Sequence, residues 1–170
     1  MDHSTAMTRM DYTLQTHPET LLAGKSLRMS VALDRTGELW GRFMPGLKEI
    51  PERIGRDLYS MEVYDGLAYF DAFDPEKSYT KWAAVPVAAQ GDAPEGTEYL
   101  ILPEGLYAVF PYRASMAPTP VFYGRIFTEW LPKSGFRLDN RPHLAIMGPD
   151  YHRDNPDALE HIWIPVKANG

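Results

Sequence analysis

Glu62 and Tyr64, two positions apart in the run LYSMEVY, carry the chemistry this sequence best supports. A carboxylate set among aromatic rings is poorly solvated. It therefore gains much from a cation that brings its own apolar body, and the ring faces attract the same cation. The side chains suited to line such a place are Trp82, Tyr107, Phe122, Trp130, Met147 and Trp163 beside Glu62 and Tyr64, with Met147 supplying packing that adapts to varied shapes. If the site turns a substrate over, Glu62 orients water and Tyr64 supplies a proton, which makes these two the catalytic pair. Plainer roles fit the same residues. Large aromatics at helical spacing are ordinary core residues, as Phe122 and Trp130 would be, and a glutamate on a half-exposed strand is often merely solvated or ion-paired.

Other chemistry is poorly supported. The chain has no cysteine, which removes disulfides, thiolate metal sites and a cysteine nucleophile. His143, His152 and His161, with Asp150 and Asp154, include no pair at the i, i+4 spacing of a helical zinc motif, so surface histidines and no metal are expected. There is no glycine-rich phosphate loop and no G-x-S-x-G elbow, and no cofactor is expected. Asp154-Asn155-Pro156-Asp157 is a turn with a helix-start signal. A formal charge of -6 and a pI near 5.3 argue against direct nucleic-acid binding, which needs clustered Lys and Arg, and favour a basic ligand. With no apolar run of 18 residues and no signal peptide, the expectation is a cytoplasmic protein without membrane association.

Several elements must position these residues. At 44% hydrophobic and 24% charged over 170 residues, the composition is that of one folded domain with one core. Residues 1–10, MDHSTAMTRM, are polar and aperiodic, hold three methionines that could each be a start, and are left outside the fold as disordered or appended sequence. Asp11 to Gln15 and Leu21 to Leu33 alternate as strands, with a bulge expected at Gly24. Asp34 and Thr36 are candidate caps for a short helix whose apolar positions are Leu39, Trp40, Phe43 and Met44, before Pro45 and Gly46. Leu58 to Tyr64, Leu67 to Phe73 and Tyr79 to Ala88 read as strands, with turns at Asp65-Gly66 and Asp74-Pro75 and a strand end at Pro86.

Gln90 to Glu95 is a loop joining two halves, about 11–89 and 96–167. Thr97 to Tyr112 forms two strands broken at Pro103-Glu104-Gly105. Thr119 is expected to cap a helix with Phe122, Ile126 and Trp130 on one stripe, after which Pro142 to Met147 and His161 to Lys167 are strands. In the last strand the alternation allows either Ile162, Ile164 and Val166 or Trp163 to face inward. The two halves repeat one pattern: Trp40, Phe43, Met44 and Pro45 recur as Phe127, Trp130, Leu131 and Pro132. Strand, helix, strand, strand given twice is an α+β fold of duplicated βαββ units, with both helices on one face of an antiparallel sheet and a central ligand cleft between the halves.

The run EWLPKSGFRLDNRPHL, with a closing IWIPV, resembles the effector-binding domain of GyrI-like (gyrase-inhibitor-like) proteins, which is also the ligand-sensing half of AraC-type and MerR-type multidrug regulators. LPEGLYAVFPY, LAGKSLRMSV and ELWGRFMP are similar to that family's first-strand and first-helix segments, and the resemblance covers roughly residues 11 to 167. It implies an SHS2-like duplicated fold with pseudo-twofold symmetry and an aromatic cleft that takes bulky, apolar, often cationic molecules. Some stand-alone relatives are credited with hydrolysing cyclopropane-bearing toxins through a glutamate and a tyrosine. This chain departs from the pattern Pro, any, Phe, Glu, any, Tyr: Pro142-His143-Leu144-Ala145-Ile146-Met147 lacks the glutamate and the tyrosine. Met61-Glu62-Val63-Tyr64 stands at the equivalent place in the first half, and the doubled fold is expected to set Glu62 across the cleft from Ala145.

The expected function is therefore a stand-alone protein that binds a drug-like or toxin-like compound, an aromatic or lipophilic cation, directly. Because the resemblance fills the chain, no helix-turn-helix segment is expected. The alternatives are a hydrolase of electrophilic or cyclopropane-bearing xenobiotics and a modulator that binds a protein partner such as DNA gyrase.

Overall fold

Two strands open each half before its helix. The computed structural model describes residues 10–169, and the stretch MDHSTAMTR expected to lie outside the fold falls outside those described residues. The first half runs β1 (Thr13–His17), β2 (Thr20–Ser30), α1 (Thr36–Phe43), β3 (Leu58–Val63) and β4 (Ser78–Pro86). The second runs β5 (Glu98–Leu102), β6 (Gly105–Tyr112), α2 (Thr119–Arg125), β7 (Phe136–Leu138), β8 (His143–Met147) and β9 (Glu160–Ala168). All pairings are antiparallel, in the order β1-β6-β9-β8-β3-β4-β2-β5, with the short β7 on β9.

That order encodes the duplication. Exchanging β1 with β5, β2 with β6, β3 with β8 and β4 with β9 reverses the list onto itself, so a pseudo-twofold axis passes between β3 and β8. The first strand of each half pairs inside the other: β1 lies on β6 and β5 lies on β2.

Cross-strand partners share a face, so the register sorts the core. The row Ala83, Ser60, Ala145, Ile162, Phe110 crosses five strands on the helix-bearing face. The adjacent row, Trp82, Met61, Leu144, Trp163, Val109, lies on the opposite face. There a single apolar cluster, with Tyr59, Tyr107 and Leu22 among its members, spans both halves. On the helix face each half has its own core. Leu39 and Phe43 of α1 pack on Ala23, Tyr79 and Val85, while Phe122, Ile126 and Trp130 pack on Ala108, Phe110, Ile162 and Ile164.

Several expectations are corrected. Leu67 to Phe73 is not a strand: Leu67–Phe70 forms a 3-10 turn, because Tyr69 and Phe70 gain ring contacts by folding back onto Tyr64, at 4.4 and 4.8 Å between centroids. Gly24 makes no bulge, since β2 runs unbroken past it with regular partners on both sides. A Cβ at Gly24 would strike the Ala83 carbonyl and Ala84, so only glycine lets β2 approach β4 this closely. Neither Asp34 nor Thr36 is the N-cap of α1, which is Arg35 and makes no side-chain cap bond; Asp34 Oδ1 accepts from the Thr36 backbone N–H at 2.9 Å in the turn that leads into the helix. Thr119 is the first residue inside α2 and caps nothing. Met44 is exposed, because the chain tightens into a 3-10 turn over Met44–Glu49. After α2 the helix widens into one π turn, Ile126–Trp130. Met10, expected outside the fold, packs on the α2 core. Both readings of β9 hold at once: Ile162, Ile164 and Val166 face α2 while Trp163 joins the cluster on the other side.

Candidate functional site

Between the two helices the sheet presents small side chains at its centre. Ser60 and Ala145 face each other across the β3–β8 pair that carries the pseudo-twofold axis, and Ala83 flanks them. All three are buried. Larger groups surround this floor on the same face: Glu62 opposite His143 at one end, and Met147 beside Glu160 at the other. The register thus sets Ser60, not Glu62, opposite Ala145; Glu62 is the diagonal neighbour of Ala145.

Alternation on β3 turns Glu62 to this face with Ser60, while Tyr59, Met61 and Val63 join the opposite cluster. Lys81 is its direct partner on β4, with Nζ 3.8 Å from Glu62 Oε1. The second oxygen, Oε2, is buried without a hydrogen-bond partner among the described residues. Burial pushes the Glu62 carboxyl above its usual range; Lys81 pulls it back and Glu160 pushes it up further. Glu160 is likewise raised by burial, against a hydrogen bond from Tyr151 and the charge of Lys81. Lys81 thus acts on both carboxyls, which stand at opposite ends of the floor.

Tyrosines ring the pair. Tyr64, Tyr69, Tyr79 and Tyr123 are each pushed up, first by burial and also by the negative charge of Glu62. Tyr123 reaches the site from α2 and also feels Glu160. The 67–70 turn packs at the His143 end of the floor, its Phe70 stacked on Phe127 at 5.5 Å and on His143 at 5.3 Å. Beside it, Leu67, Leu131, Pro132, Phe136 and Leu138 line an apolar groove of about 400 Å³.

His143, expected at the surface, is 2% exposed. Burial, with Arg141 adding to it, lowers its pKa to about 3, so the ring is neutral at physiological pH. His152 and His161 are exposed as expected. Among the described residues no cluster of three or more His, Asp and Glu could hold a metal, and no helix is long and apolar enough to cross a membrane.

The eight residues expected to line one site do not share one cleft. Glu62, Tyr64 and Met147 share the helix face around Ser60 and Ala145. Phe122 and Trp130 lie beneath α2, against Tyr112 at 4.6 Å and Phe110 at 5.0 Å. Trp82, Tyr107 and Trp163 are on the other side of the sheet, where Tyr107 lies 5.7 Å from Trp163 and its hydroxyl donates to the Pro142 carbonyl at 3.1 Å. The sequence reading missed Glu160, Lys81, Tyr79, Tyr123 and Phe70. Lys81 and Tyr79 could have been found by extending the β3 alternation to β4, which pairs Glu62 with Lys81.

The site is thus a doubled antiparallel α+β sheet whose two helices flank a small-residue floor, with buried carboxylates at its edges. The profile of the GyrI-like small molecule binding domain matches residues 10–167, and the chain belongs to that family. No curated protein matches it. Among solved structures, SAV2435 bound to tetraphenylphosphonium is similar at a TM-score of 0.63 and 16% identity, over 93% of this chain and 94% of that one. The C-terminal domain of EcmrR is similar at 0.66 and 13%, over 94% and 99%. A hydrolase encoded by lin2189 from Listeria innocua is similar at 0.61 and 14%, over 94% and 93%. At these identities the likeness concerns the fold.

Proposed function

We propose that this protein binds a bulky, apolar organic cation directly, over the floor made by Ser60 and Ala145. Glu62 supplies the counter-charge, Tyr64 and Tyr123 supply ring faces, and Met147 supplies adaptable packing. The observation that carries this reading is the Glu62 carboxylate itself, buried among tyrosines with one oxygen lacking a partner among the described residues. A buried carboxylate only partly neutralised by Lys81 at 3.8 Å is costly, and a desolvated cation is a group that relieves it. A hydrophobic cation reaches such a place because its charge is already spread and weakly hydrated, and its rings meet tyrosine faces. Tetraphenylphosphonium, the compound bound by SAV2435, is a suitable probe.

Calorimetric titration tests the reading. The wild type should bind tetraphenylphosphonium, and Glu62→Gln should lose at least tenfold in affinity, about 1.4 kcal/mol. Uncharged triphenylphosphine oxide should bind both proteins weakly and alike. Equal affinity of the cation for wild type and Glu62→Gln would remove Glu62 from the site.

A further inference from the structure

The cation place beside Glu62 already has an occupant. Lys81 Nζ is 3.8 Å from Glu62 Oε1, too long for a hydrogen bond but close enough to neutralise much of its charge in a poorly hydrated setting. The Lys81 and Glu62 side chains are only 15% and 13% exposed, so water does little to screen them.

Lys81 also has a second anchor. Its Nζ donates to Thr36 Oγ1 at 3.1 Å. The Thr36 hydroxyl in turn donates to Asp34 Oδ1 at 2.6 Å. That relay sits at the start of α1, where Asp34 carries a full negative charge, held below its usual range by its bonds to Thr36 and by Lys81, which outweigh its burial. The ammonium therefore stands between two carboxylates, one on the sheet floor and one in the turn that leads into α1.

We propose that Lys81 is a tethered competitor for the ligand's cation, shared in the free protein between Glu62 and the Asp34–Thr36 turn and left to that turn alone when a ligand cation takes Glu62. The proposal rests on the reading of Glu62 given above and adds what sets the affinity and charge preference of the site. Three carboxyl groups, Glu62, Glu160 and Asp34, face the one ammonium of Lys81, and His143 adds no positive charge because its ring is neutral. Removing Lys81 leaves more negative charge for the ligand, which favours a dication more than a monocation.

The test is titration of the full chain with tetraphenylphosphonium and with the dication methyl viologen. Lys81→Met, which keeps the side-chain length and removes the charge, should bind tetraphenylphosphonium at least tenfold more tightly than wild type and gain still more for methyl viologen. Asp34→Asn, at an exposed turn whose acceptor role asparagine also serves, keeps the fold and removes the charge that receives Lys81, so it should bind tetraphenylphosphonium several-fold more weakly. Opposite signs from the two variants support the release of Lys81. Unchanged or weaker binding in Lys81→Met, or unchanged binding in Asp34→Asn should the first variant fail to fold, overturns it. Failure of both wild type and a folded Lys81→Met to bind either cation refutes the Glu62 reading itself, an outcome distinct from the previous ones.

Discussion

His143 faces Glu62 across the β3–β8 pair as a neutral ring, with Phe70 stacked on one side and Tyr64 edge-on at 5.0 Å. A base whose pKa is depressed on folding binds fewer protons in the folded chain, so its contribution to stability is full above the unfolded value of 6.5 and is lost as pH falls toward about 3. Glu62 and Glu160 act in the other direction: their carboxyls are raised, so their contribution is full below the ordinary value of 4.5 and is lost as pH rises through their folded values. Phenylalanine can take the stacked position without titrating. His143→Phe should therefore flatten the loss of melting temperature between pH 6.5 and 4, where one histidine contributes a slope of at most about 1.4 kcal/mol per pH unit. Parallel melting curves for the two proteins would show that His143 is not the group responsible. Alternation within one strand was enough to put Glu62 and Tyr64 on a common face. It failed for His143 and Glu160, because the groups that bury them, Phe70, Phe127 and Tyr151, are distant in sequence or come from segments without periodicity.

At the scale of elements, two glycines have opposite effects. Gly24 sits in mid-strand with the backbone of β4 pressed against it, and an added methyl group meets the Ala83 carbonyl and Ala84 before any flexible side chain can yield. Gly41 lies in the exposed face of α1, where an added methyl meets nothing within 4 Å. Gly24→Ala should destabilise by about 1–3 kcal/mol, as overpacking does. Gly41→Ala should stabilise by about 0.5–1 kcal/mol, the helix-propensity difference, seen as a rise in melting temperature of a few degrees. Thermal melts of the two variants moving in the same direction would contradict this account of β2. Sequence gave the existence of β2 and α1 from their different periods, but it could not separate a glycine that bends a strand from one required by a neighbouring backbone. It also could not foresee the 67–70 turn, since Leu67 to Phe73 is apolar and aromatic enough for a strand. The turn there is held by Tyr64 of its own half together with Phe127 and His143, which belong to the other half.

For the whole molecule, the duplication visible in the repeated helix endings did not extend to how the halves interlock. The repeat implies two similar units, whereas the strand order gives each unit an edge taken from the other, β1 on β6 and β5 on β2. The cluster opposite the helices is shared in the same way, with Trp82 and Met61 from one half and Tyr107 and Leu144 from the other. Residues 11–89 alone would leave β2 without β5, β3 without β8 and β1 without any partner strand, an arrangement with unpaired backbone on three strands and half a core. Such a fragment should show no cooperative melt by circular dichroism. The intact chain should unfold in one transition, with far-UV circular dichroism and tryptophan fluorescence coinciding. Fluorescence reports on both halves, since Trp40 and Trp82 lie in the first and Trp130 and Trp163 in the second. A fragment that melts cooperatively by itself, or two separated transitions in the intact chain, would mean that the exchanged strands are dispensable. The small-residue floor would then lose its physical basis, because Ser60 and Ala145 meet only where the two halves are joined.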